Sequence, residues 1–134
     1  MRKHRIVQKF VFLLYLAAVA YLCFGHFTNI PQVPRRIWGV PIDKVMHFCM
    51  FFPFPVLFHW AFTWPVKKWW QAVLLTVCIL GTGSLIASGT EMIQGMTTYR
   101  TADIMDFMAD FKALCLSSVI VLVIELSKTL KHEK

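Results

Sequence analysis

The stretch Glu91–Asp110, EMIQGMTTYRTADIMDFMAD, decides how the rest of the chain is read. It holds four of the seven acidic residues (Glu91, Asp103, Asp106 and Asp110) together with Arg100, and it lies between two apolar segments. Asp103, Asp106 and Asp110 are spaced i, i+3, i+7, which lines three carboxylates along one face if the segment is helical. The last of them points into a run that otherwise reads as membrane-spanning. A carboxylate there is costly, so it calls for a partner and, by default, for a function.

The bulk composition supports that reading. Hydrophobic residues make up 57% of the 134 and charged residues 16%, where soluble chains carry about 25% charged residues. Mean hydropathy is +0.59. These values predict an integral membrane protein, with residues 1–134 forming one domain. The formal net charge of +7 does not point to nucleic acid. The basic residues gather at the chain ends and one short loop instead of on an aromatic-interleaved surface. The cysteines, Cys23, Cys49, Cys78 and Cys115, fall one to each apolar segment and form no metal-ligand pattern, so they read as small apolar fillers. The basic start MRKHR precedes an apolar run without a convincing cleavage site, which predicts a retained first helix. No cofactor signature is present and no cofactor is expected.

Outward from the acidic stretch, four spans are predicted, at about 6–27, 45–64, 69–90 and 104–126, giving an all-α four-helix membrane bundle. Between the first two, TNIPQVPRRIWGVPID carries three prolines that forbid a continuous helix. Asp43 is placed to favour the start of the second helix. Pro53 and Pro55 lie inside the second span, so a kink or unwinding is expected there. Trp69 and Trp70 suit a membrane interface. Gly81, Gly83, Ser84, Ala87 and Ser88 allow close helix contact in the third span. In the fourth, Asp103, Asp106, Asp110, Ala113 and Ser117 share a face that should look inward.

Topology follows from the basic residues. Arg2, Lys3, Arg5, Lys9, Lys67, Lys68, Lys128, Lys131 and Lys134 fall on one side of a four-span chain, and Arg35, Arg36, Lys44 and Arg100 on the other. The positive-inside rule then places both termini in the cytoplasm. Asp43, His47, Glu91, Arg100, Asp103 and Asp106 gather at the outer face.

Two blocks stand out: Asp43-Lys44-x-x-His47-Phe48, and Glu91-x-x-Gln94 followed by Arg100-x-x-Asp103-x-x-Asp106-x-x-x-Asp110. In this order and between these spans, they resemble the VanZ-like family of small membrane proteins, over roughly residues 10–126. Where that family usually has Asn, this chain has Asp110, and Lys112-Ala113-Leu114 replaces a Gly-containing run. The resemblance implies a multi-pass protein of the bacterial cytoplasmic membrane with an envelope-related role, linked to resistance to the glycopeptide teicoplanin. No established reaction comes with it.

The residues themselves leave several chemistries open. Lys44 and Arg100 can hold a phosphate or carboxylate headgroup of a lipid or cell-wall precursor. Glu91, Asp103 and Asp106 can take a divalent cation. His47 and Asp106 can act as acid and base. Arg100–Asp103, Asp43–His47 and Lys112–Asp110 can equally be structural ion pairs. Asp43, Lys44, His47, Glu91, Gln94, Arg100, Asp103, Asp106 and Asp110 are therefore the candidate site. His26 and His59 read as bystanders, His59 because its span offers no obvious partner, and a haem held by His26 and His47 is disfavoured.

Overall fold

The computed structural model describes residues 2–25, 36–62, 64–98 and 101–132. Five helices dominate it: α1 (Arg2–Phe24), α2 (Ile42–Phe51), α3 (Phe54–Ala61), α4 (Trp69–Gly95) and α5 (Ile104–His132). Three helical stretches, His4–Phe24, Trp69–Gly95 and Ile104–Lys131, are long and apolar enough to cross a membrane. The expected third and fourth spans extend further than predicted, α4 by five residues to Gly95 and α5 by six to His132.

The expected second span is broken. Pro53 has no N–H to continue the ladder, so α2 and α3 are separate short helices of 10 and 8 residues joined through Phe52 and Pro53. The break frees carbonyls in apolar surroundings, and one of them is recovered from outside. The Tyr15 hydroxyl of α1 donates to the Met50 carbonyl at 2.5 Å. Re-satisfying freed backbone groups from a neighbouring helix is what makes such breaks tolerable away from water.

Helix α5 packs against α4, α2 and α3, while α1 meets α3 and α4. The buried residues of α5 include Asp106, Asp110, Ala113, Leu114, Ser117 and Val121, which is the expected inward face. In α4 the buried positions Gly83 and Ala87 lie one turn apart. A Cβ at Gly83 would sit 2.6 Å from Leu114 Cδ2 and 3.0 Å from the Phe54 ring, whereas Gly81 meets nothing. Only part of the small-residue set therefore serves as contact. Phe12, Phe54, Phe58 and Phe62 pack ring against ring at 4.9–5.8 Å between α1 and α3.

Two short features close the ends. Lys68 precedes α4, and the Gln71 side chain accepts hydrogen bonds from the backbone N–H groups of Lys67 and Lys68 at 2.8 and 3.1 Å, capping the helix start. Before α2, β1 (Arg36–Ile37) and β2 (Val40–Pro41) form an antiparallel hairpin. Its two turn residues, Trp38 and Gly39, have φ of 49° and 82°, as a type I′ turn requires. Trp38 is fully exposed at the tip. The sequence reading predicted no strand here.

Candidate functional site

The site forms where the start of α2, the end of α4 and the start of α5 meet. A one-turn offset on α2 puts Asp43 and His47 on the same side. Glu91 and Gln94 occupy the last turns of α4, and Asp103, Asp106 and Asp110 open α5. Asp103 begins that helix: its Oδ1 accepts from the Met105 N–H at 2.8 Å, an N-cap that also brings its other oxygen toward α2. The loop between α4 and α5 is drawn in tightly. A Cβ on Gly95 would lie 2.9 Å from the Ala102 Cβ, and the Asp103 N–H donates to Glu91 Oε2 at 3.2 Å.

A polar cavity of about 430 Å³ opens there, lined by Asp43, His47, Gln94, Thr98, Thr101, Asp103 and Asp106. Lys44 forms its side support, donating to Asp103 Oδ2 at 2.8 Å and Asp106 Oδ1 at 2.9 Å. Lys44 holds the Asp103 carboxyl below its usual value. Beneath the cavity, His47 is 2% and Asp110 0% exposed. The imidazole Nδ1 stands 3.2 and 3.3 Å from the two oxygens of Asp110, 3.7 Å from Glu91 Oε1, and Nε2 lies 3.9 Å from Asp106 Oδ2. Gln94 is buried and donates to the Cys23 carbonyl at 2.9 Å, tying the end of α1 to this corner.

All the expected site residues within the described segments thus converge; Arg100 lies outside those segments, so its expected pairing with Asp103 does too. Among the described residues Asp103 pairs with Lys44. The expected Lys112–Asp110 pair does not form. Two residues apart on a helix, the side chains face nearly opposite ways; Lys112 is exposed while Asp110 turns inward to His47. Thr98 and Thr101 were not foreseen as lining residues, since hydroxyls in a connector carry no distinctive signal.

The reading of His59 as partnerless is overturned. Its Nε2–H donates to Glu125 Oε1 at 2.8 Å, and Lys128 Nζ donates to the same oxygen at 2.6 Å. Glu125 is 5% exposed. The available signal was a lone glutamate inside a long apolar helix, which should have demanded a partner from another helix.

Three carboxylates, Asp43, Asp103 and Asp106, line the cavity, and among the described residues Lys44 is committed to two of them. A cation, an ammonium group or a set of hydroxyls suits such a lining better than a bare anion.

No family model matches the chain, and no solved structure matches it. An uncharacterized protein of Schizosaccharomyces pombe is similar to it, 34% identical over 101 residues. The match covers 75% of this chain and 53% of that protein, so the chain spans about half the length of the curated relative it matches.

Proposed function

We propose that the protein is a multi-pass membrane protein whose polar cavity binds the headgroup of a lipid, with an ammonium or hydroxyl-bearing group as the preferred ligand. On this reading α2 and α3 together make a broken second span, the helices form a four-span bundle with both termini in the cytoplasm, and the cavity faces outward. The observation that carries it is the 430 Å³ acid-lined cavity at the end of an otherwise apolar set of helices. Among the described residues the Lys44 ammonium is already bonded to Asp103 and Asp106, which supports a cationic or hydroxyl-bearing group as the ligand.

The VanZ-like resemblance adds a bacterial cell membrane and a link to teicoplanin as parts of the proposal. A relative in a eukaryote favours a common membrane lipid over a bacterial cell-wall intermediate as the ligand. The test is binding of purified protein to nanodiscs that differ only in headgroup. Amine-headgroup lipid should bind more tightly than an anionic one, and Asp43→Asn with Asp106→Asn should abolish the preference by about tenfold or more. Equal binding of both lipids by the wild type ends this reading.

A second reading, a membrane-embedded enzyme for a lipid-linked substrate, is favoured by one feature. His47 is oriented by Asp110 on one ring nitrogen while the other faces Asp106 and the cavity, an arrangement suited to proton transfer. It requires lipid turnover that disappears in His47→Asn.

A further inference from the structure

His47, Glu91 and Asp110 come from three different helices, and their exposures are 2%, 7% and 0%. One ligand atom from each lies within 4.8 Å of the others. Glu91 Oε2 is occupied by the Asp103 N–H. Its Oε1 is not: it is buried with no hydrogen-bond partner among the described residues, and it stands 3.7 Å from His47 Nδ1. A buried carboxylate oxygen without a donor is an expensive arrangement.

Among the described residues, the groups nearby do not relieve it. Nδ1 carries at most one proton, and that proton faces Asp110. Even there the fit is loose, because Nδ1 is nearly equidistant from both Asp110 oxygens at 3.2 and 3.3 Å, whereas charge-assisted N–H···O bonds run about 2.7–2.9 Å. Lys44, the ammonium at this corner, is held by Asp103 and Asp106. Two buried carboxylates therefore share one imidazole edge, and each stands too far from it for a short bond.

Those spacings suit ligands of a shared ion. Nitrogen and oxygen ligands bind zinc at about 2.0–2.2 Å, which places neighbouring ligand atoms roughly 3–3.5 Å apart in tetrahedral or octahedral geometry. His47 Nδ1 stands 3.2 Å from Asp110 and 3.7 Å from Glu91 Oε1, within a few tenths of an ångström of that range, and the two carboxylates lie within 4.8 Å of one another. We infer that His47 Nδ1, Glu91 Oε1 and the Asp110 carboxylate form a binding site for a divalent transition-metal ion. The imidazole disfavours Mg²⁺ and Ca²⁺, which prefer all-oxygen shells, and the lack of thiolate disfavours Cu(I). Zn²⁺ and Mn²⁺ are among the ions that suit this donor set. The ion neutralises the two buried acids and links α2, α4 and α5 below the cavity, independently of whether a headgroup occupies the cavity above.

The experiment uses full-length protein in detergent, stripped with EDTA and then equilibrated with Zn²⁺ or Mn²⁺. Metal content after gel filtration, the thermal midpoint and X-ray absorption at the metal edge are measured on the same samples. The wild type should retain one ion per chain, bound by nitrogen and oxygen without sulfur, and should melt at a higher temperature when loaded. Glu91→Gln should weaken binding at least about tenfold, with no loss of stability in the metal-free state, because the amide removes an uncompensated charge. A wild type that retains no stoichiometric ion, an ion with sulfur ligands, or unchanged affinity in Glu91→Gln overturns the site. Should Glu91→Gln fail to fold, the absorption spectrum of the loaded wild type decides alone. None of these outcomes depends on lipid, so the headgroup reading stands or falls separately.

Discussion

Lys44 holds two carboxylates of unequal burial, and that inequality makes its role testable. The Asp106 side chain is 9% exposed and that of Asp103 44%. Replacing Lys44 by Met strands Asp106 away from water but leaves Asp103 hydrated. We expect Lys44→Met to destabilise by roughly 1–3 kcal/mol, between the limits for exposed and buried pairs. Adding Asp106→Asn should recover most of the loss, and adding Asp103→Asn should not; thermal unfolding of the four proteins in detergent reads this out. Because Asp103 is held below its usual pKa, its part of the interaction is complete at neutral pH and fades only as acid titrates it through that lowered value. At this scale the sequence singled out residues that the fold brings together, but not who meets whom. Lys44 and Asp103 are 59 residues apart and His47 and Asp110 are 63 apart, so no local spacing rule links them. One local pair it offered instead, Lys112 with Asp110, is excluded by helix geometry.

Among the elements, α1, α4 and α5 were legible because hydropathy over about 20 residues is a strong signal. The break between α2 and α3 was legible from Pro53. The hairpin at 36–41 was not, since strands of two residues leave no alternation to detect and the Trp38-Gly39 turn lacks the usual Asn or Asp. The small residues of α4 were seen as a group, but only packing separates their roles. Gly83 faces Leu114 and Phe54, and Gly81 faces open space. Gly83→Val should therefore cost roughly 1–3 kcal/mol through overpacking. Gly81→Val, in the same helix and half a turn away, should leave the melting temperature unchanged or slightly raised. Equal effects from both would mean that α4 does not pack on α3 and α5 as described.

On the scale of the whole molecule, α5 is the member on which the others depend. It carries Asp106 and Asp110 at one end and Glu125 at the other, and its partners on α2 and α3 are Lys44, His47 and His59. The composition made a membrane protein legible at once, yet gave no sign that the two halves of the broken segment are each fastened to the same helix. That fastening has a consequence for how the chain is made. Residues 42–61 contain Asp43, Lys44, His47, His59 and two prolines, a poor candidate for entering a membrane unaided. The acids that balance its basic and imidazole groups are synthesised later, more than 40 residues on. In the four-span reading, this segment waits at the membrane surface until α5 emerges from the ribosome, and the final orientation is set late in translation. A chain ending at Thr98 should accordingly leave the exposed native Cys49 open to a membrane-impermeant thiol reagent, and the full-length chain should shield it. Equal labelling of the two would show that the segment inserts without its later partner.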